Sequence, residues 1–305
     1  MTATTMPSFL RGLRGELRID EPMSRHTSWR VGGAADYFYT PADKDDLIAL
    51  LRRLPAEVPL HWIGLGSNLL VRDGGIAGLV VRTAKGLTGL REVTGAPNRI
   101  EAEAGVACAK VARAATAANL GGAEFLAGVP GSFGGALAMN AGAFGGETWR
   151  LVEQIECVDR AGEVRLLRAE QIDFGYRRVD LPAEHWVLSG RLALSTLDGG
   201  DDGKRRIREL MSRRNASQPV QSANAGSVFR NPRGDHAARL IEHAGLKGAC
   251  VGDAEVSPTH ANFIINRGRA SADDIERLIE RARREVAQRT GVELATEVRI
   301  IGRRA

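Results

Sequence analysis

The sequence predicts an α+β protein in two parts, and three observations carry that reading. Short strand-like runs are interspersed with amphipathic helical runs. A stretch at 121–146 holds nine glycines in 26 residues and a single charge, Glu124. A polar break at 197–204, LDGGDDGK, separates two regions of different texture. At 305 residues the chain has room for two or three domains with their own cores.

In chain order, residues 1–19 read as a mobile lead-in, with a short helix before residue 25. A turn-rich run, His26-Thr-Ser-Trp-Arg-Val-Gly-Gly33, leads into a strand over 35–39. Asp43 is placed to cap a helix over 44–54, with Leu47, Leu50, Leu51 and Leu54 at helical spacing. Strands follow at 61–63, 69–71, 78–82 and 100–104, then an alanine-rich helix over 105–119. Residues 152–159 and 163–167 form a hairpin, 174–178 a loop and 186–194 a strand. Beyond the break come a basic helix (205–215), a strand at Val228-Phe229, a helix (235–244) ended by Gly245 and a strand at 262–266. Ser271 and Asp274 make a capping-box start for a helix over 272–289, and ELATEVRII (293–301) reads as the last strand.

Composition narrows the function. Apolar residues are 43% and charged residues 26% of the chain, as in ordinary globular proteins. The net charge of +5 comes with no basic block interleaved with aromatics. A nucleic-acid partner is therefore not expected, whereas an anionic small molecule suits the field. Cys108, Cys157 and Cys250 are isolated, and neither they nor the six scattered histidines show metal-ligand spacing. A reducing, cytoplasmic setting is expected, with no metal. No run has the length of a signal h-region or a membrane span, so no membrane association is expected.

Two loops point to a ligand. Glycine reaches the density of 121–146 where backbone takes positive φ or closes on something bulky. The stretch reads as a backbone wall against a flat phosphate-bearing ligand; a flexible loop or a glycine-rich packing seam is the plain alternative. At 64–69, Gly-Leu-Gly-Ser-Asn-Leu starts like a dinucleotide fingerprint, but Leu69 replaces the third glycine and a strand follows where a helix should. The loop is either a phosphate nest between two strands or a tight turn. Ser227 after Gly226, Glu297 within a strand and Arg177 after Tyr176 stand out as chemical groups. From the residues alone, a turn serine, a solvated glutamate and a surface arginine describe them equally well.

Taken together, His26–Gly33, 64–69, Gly128-Val-Pro-Gly-Ser-Phe-Gly-Gly135, Asn140-Ala-Gly142, Tyr176-Arg177, Gly226-Ser-Val-Phe-Arg-Asn-Pro232, His260-Ala-Asn262 and Thr296-Glu297 closely resemble the UDP-N-acetylenolpyruvoylglucosamine reductases. The likeness covers about residues 20–302. It implies a PCMH-type (vanillyl-alcohol-oxidase-like) FAD-binding domain over 20–200, with subdomains near 20–85 and 86–200. A substrate domain over 201–292 and a strand at 293–305 returning to the flavin region complete it. The short run from Arg177 to residue 200 resembles the type II form, which lacks an inserted loop.

The resemblance also implies the cofactors and the site. FAD would be held non-covalently by Gly64, Leu65, Gly66, Ser67, Asn68 and Leu69 at the pyrophosphate. Gly128, Val129, Pro130, Gly131, Ser132, Gly134, Gly135, Asn140, Ala141 and Gly142 would lie along the rest. NADPH would reduce the flavin, and hydride would pass to the enolpyruvyl group of UDP-N-acetylglucosamine enolpyruvate. Ser227 would give the proton, while Arg177 and a protonated Glu297 would stabilise the developing charge. Tyr176, Arg230, Lys247 and Asn262 would touch the substrate. The chain departs from the family at Val179, where many relatives carry Ser or Thr, which leaves open what holds Arg177. A monomer is expected. A flavin-dependent sugar oxidase and a non-catalytic nucleotide-sugar binder are the alternatives. The oxidase leaves the 226–232 motif and Glu297 unexplained, and the binder has no need of Ser227, Arg177 and Glu297 together.

Overall fold

A computed structural model describes residues 7–197, 199 and 201–305. The chain separates into two compact units, each assembled from distant stretches. The first comprises Met1–Ile19, Tyr37–Gly64 and Gly78–Leu210; the second comprises Asp20–Asp36, Leu65–Ala77 and Met211–Ala305.

The first unit is built on two sheets. One has the order β1-β2-β5-β3, from strands β1 (Glu16–Pro22), β2 (Ala34–Thr40), β3 (Leu60–Ile63) and β5 (Ile76–Arg82). In it, β3 and β5 run parallel, Leu60 beside Leu79. The helix α1 (Lys44–Leu51) starts where Asp43 accepts the Asp46 N–H at 2.9 Å, and it buries Leu47, Leu50 and Leu51 against Leu79, Val81 and Leu188. The other sheet is antiparallel, with its middle strand His185–Ala193 between Val152–Asp159 and Arg99–Glu103. Two helices, α2 (Cys108–Ala117) and α3 (Phe133–Met139), pack beside it. Gly190 permits the approach of α3, because a Cβ there would stand 2.8 Å from Leu137 Cδ1.

The second unit has its own core, in which Trp29, Leu70, Val228, Phe229 and Leu240 meet the apolar face of α6 (Ala272–Thr290). A three-stranded antiparallel sheet (Cys250–Val251, Ala254–Val256, Ile264–Asn266) and α5 (Ala237–His243) complete it. The strand β4 (Leu69–Val71) pairs in parallel with Arg299–Ile301. The Ser271–Asp274 capping box is formed, and Gly291 ends α6 in the left-handed conformation at φ +71°.

Several expectations need correction. Residues 1–6 lie outside the described residues, but 7–19 are no loose lead-in: Leu10 is buried and β1 begins at Glu16. The expected helix before residue 25 is the end of β1 followed by a 3-10 turn, Met23–Arg25. The boundary near 200 falls instead after Leu210, inside α4 (Asp202–Ser217), and residues 20–36 and 65–77 group with the later chain. Residues 174–178 hold a small hairpin, Phe174–Gly175 with Arg178–Val179. The run 293–301 is a strand only over Arg299–Ile301. Before it, the Glu297 and Val298 N–H groups converge on one acceptor, the Val228 carbonyl, so the alternation of a ladder is lost. Phe229 meets Thr296 only as an isolated bridge.

One ion pair of this unit gives stability a pH dependence. Arg72 binds Glu276 through both oxygens at 2.8 Å, and this holds the Glu276 carboxyl below the ordinary glutamate range despite partial burial. A depressed folded-state pKa contributes stability above the unfolded value and loses it as pH falls through the folded one. Glu276→Gln is expected to be less stable near neutrality and to flatten the acid limb of the melting curve. An acid limb unchanged by Glu276→Gln would refute this.

Candidate active site

In the second unit the 65–69 loop is shaped from behind. Gly66 takes φ +65°, and a Cβ there would overlap the His26 carbonyl, so the turn requires glycine. The Gly66 carbonyl accepts the Ser28 N–H at 3.1 Å. The His26–Gly33 run thus backs the 65–69 loop. The N–H groups of Leu65, Gly66 and Ser67 have no acceptor among the described residues, and Leu65 is 38% exposed. Three unsatisfied donors on consecutive residues suit an anionic oxygen cluster.

From this loop the backbone leads straight to Glu297. Asn68 Nδ2 donates to the Glu297 carbonyl at 3.1 Å, and the Asn68 carbonyl accepts the Arg299 N–H at 3.1 Å. The Glu297 N–H donates to the Val228 carbonyl at 2.8 Å. Ser227, next in the chain to Val228, is half-buried, and its hydroxyl has no hydrogen-bond partner among the described residues. Gly226 before it takes φ +75° with open space around it. The structure thus gathers the 65–69 loop, Ser227 and Glu297 on one hydrogen-bonded framework.

The first unit carries the other candidates. Gly64 ends β3 against Ser132, where a Cβ would overlap the serine hydroxyl. Ser132 caps α3 and is 2% exposed, yet its N–H and that of Gly131 have no acceptor among the described residues. A buried unpaired donor costs about 1–3 kcal/mol unless something binds it. Each set of free N–H groups, taken within its own unit, offers the kind of donors that an anionic group of a cofactor accepts. Much of the remaining glycine density is a packing seam: a Cβ at Gly128, Gly134 or Gly146 would press on Phe144, Ala104 or Phe125. Gly145 has open space, and a Cβ at Gly122 or Gly135 would meet only an ordinary contact. Between the seam residues, Val129 donates back to Leu126, Pro130 is exposed, and Ala141 donates to Ala136.

Arg177 lies in the left-handed region at φ +55° between the two short strands of the hairpin. Its guanidinium donates to the Asn140 carbonyl at 3.3 Å and the Gly142 carbonyl at 3.0 Å, and stands 5.1 Å from the centre of the Tyr176 ring. Backbone carbonyls hold it, so Val179 in place of a hydroxyl residue does not leave it unsupported. Tyr176 itself is 47% exposed.

Two of the expected ligand contacts have side chains engaged within the protein. Asn140, fully buried, donates to the Gly175 carbonyl at 2.9 Å and to Glu147, and accepts the Trp149 N–H at 3.0 Å. Its amide is engaged inside the protein, holding the turn that carries Arg177. Asn262 is likewise engaged with the backbone of Phe229. Of the other substrate candidates, Arg230 is exposed with no side-chain partner among the described residues, whereas Lys247 pairs with Glu242 at 2.7 Å. Burial, followed by the nearby Lys247, holds His260 below the ordinary histidine range. Burial pushes the Cys108 thiol up to about 12, which removes it as a nucleophile.

Comparison with known proteins agrees with this geometry. Residues 218–301 match the family described as UDP-N-acetylenolpyruvoylglucosamine reductase, C-terminal domain, and residues 35–168 match FAD binding domain. The UDP-N-acetylenolpyruvoylglucosamine reductase of Alkalilimnicola ehrlichii is 55% identical over 290 residues, covering 94% of this chain and 95% of its own. That of Methylococcus capsulatus is 54% identical, with 95% and 94% covered. The crystal structure of the Thermus caldophilus enzyme superposes with a TM-score of 0.80 at 33% identity, over 94% of this chain and 98% of that one.

Proposed function

Because this chain belongs to the UDP-N-acetylenolpyruvoylglucosamine reductase family and carries its FAD-binding domain, we propose that it reduces UDP-N-acetylglucosamine enolpyruvate to UDP-N-acetylmuramate with NADPH, for peptidoglycan synthesis. The observation that carries the reading is the Ser227 hydroxyl, unpartnered among the described residues, on a backbone bonded directly to the Glu297 segment. FAD, bound non-covalently, supplies the hydride that reaches the vinyl carbon. Ser227 donates the proton to the neighbouring carbon, acting as general acid. Arg177, fixed by the Asn140 and Gly142 carbonyls, balances the negative charge that grows towards the substrate carboxylate. Glu297 serves the same charge in its protonated form. Arg230 is the better of the two cations for the substrate's phosphates, since Lys247 must first leave Glu242. The three unbridged cysteines suit a cytoplasmic enzyme, and we take it to act as a monomer.

An anaerobic visible spectrum tests the proposal. The flavin band is expected to bleach with NADPH and to return when the enolpyruvyl substrate is added. A band that returns only with oxygen would establish an oxidase instead, and a protein that takes up no FAD would refute the reading of both loops.

A further inference from the structure

Asn262 has no part in the scheme above, yet it is among the most tightly held polar groups of the second unit, at 3% exposure. Its side chain grips one residue twice. The Phe229 N–H donates to Oδ1 at 2.9 Å, and Nδ2 donates to the Phe229 carbonyl at 2.8 Å. Its own carbonyl accepts the Val228 N–H at 2.9 Å. Behind it, the Asn262 N–H donates to His260 Nδ1 at 3.3 Å, and Ser257 Oγ accepts the N–H groups of Thr259 and His260. Matching a donor and an acceptor on the same residue requires an amide. Aspartate offers only acceptors, and glutamine is one methylene longer.

The segment gripped in this way lies between the two acid groups. Val228 follows Ser227 in the chain, and its carbonyl accepts the Glu297 N–H at 2.8 Å. On the other flank of Ser227, Gly226 is tied, among the described residues, only by its N–H to Asn224 Oδ1, with open space where a side chain would be. The place of the Ser227 hydroxyl is therefore set from the Val228–Phe229 side. We propose that Asn262 is a positioning residue, placing Ser227 and Glu297 through the backbone of Val228 and Phe229 without touching substrate.

The inference rests on the reductase reading, and its test separates the two. Asn262→Asp keeps the acceptor for the Phe229 N–H and sets an oxygen against the Phe229 carbonyl. The two half-reactions are followed anaerobically by stopped flow on the full-length, FAD-loaded protein. Reduction by NADPH is expected to stay near the wild-type rate, while oxidation by the enolpyruvyl substrate slows by about 100-fold, the cost of a misplacement near 1 Å. The solvent deuterium isotope effect on the second step should rise, since proton transfer now limits it, and substrate KM should hold. In a Ser227→Ala background, Asn262→Asp should slow that step little further. A KM raised about tenfold or more with kcat retained, worth about 1.4 kcal/mol of binding, would make Asn262 a substrate contact and overturn the proposal. Equal slowing of both half-reactions with an unchanged isotope effect would reduce its role to stability and overturn it as well. Should the aspartate variant not fold, His260→Ala removes the acceptor behind Asn262 together with a ring contact to Phe263, and is expected to show the same split, smaller. A wild-type flavin that the enolpyruvyl substrate does not reoxidise overturns the reductase reading itself.

Discussion

Ser227→Ala is expected to leave the bound flavin reducible by NADPH and to slow its reoxidation by the enolpyruvyl substrate by about 10²–10⁴-fold, the usual contribution of a positioned proton donor. The hydroxyl makes no hydrogen bond within the protein among the described residues, so its removal orphans nothing. Stability should therefore change by less than about 0.5 kcal/mol, as for a substitution that disturbs no packing or bonding. A thermal melt and two anaerobic half-reactions decide the matter. Turnover at the wild-type rate in this variant removes Ser227 from the chemistry. A large loss of stability would mean that its importance is architectural.

The second large effect concerns the cofactor alone. Gly66→Ala places a methyl group on the His26 carbonyl at a backbone φ of +65°, which is unfavourable for any L-residue. The loop must shift, and with it the consecutive donors on Leu65, Gly66 and Ser67. Strain of about 1–2 kcal/mol together with one lost donor of similar worth corresponds to roughly 100-fold weaker FAD binding. The variant is expected to purify largely colourless, and titration with FAD, read by quenching of flavin fluorescence, measures the deficit. Wild-type FAD affinity in Gly66→Ala would show that the loop does not hold the diphosphate.

Local signals were legible in the chain wherever the physics is local. Asp43 caps α1 and Ser271 caps α6 because a side-chain oxygen before an amphipathic run has one good use. The 64–69 loop could be told from a Rossmann turn because Leu69 opens a strand. The two asparagines were harder. An asparagine near a cofactor motif looks like a ligand contact, and only the fold reveals the backbone that Asn140 and Asn262 hold. The run 293–301 alternates like one strand, but successive parts of it bond to Val228 and then to Asn68, partners that no window around the run contains. For the same reason the polar break at 197–204 was legible but the true division of the chain was not. The allegiance of residues 65–77 to the later unit depends on pairing with Arg299–Ile301.

That pairing has a consequence for the order of events during synthesis. Asn68 and Glu297 stand 229 positions apart, and the strand after the loop finds its parallel neighbour only at Arg299–Ile301. At a translation rate of about 5–20 residues per second, the 65–69 loop emerges roughly 10–45 s before the segment that braces it. Until then β4 lacks its parallel neighbour, and a parallel pairing over so long a separation is slow to form. A nascent chain halted anywhere before Glu297 therefore carries a loop of the right sequence that cannot yet keep its shape. Capture of FAD is expected to be among the last acts of biogenesis, and flavin colour to report on completed chains alone.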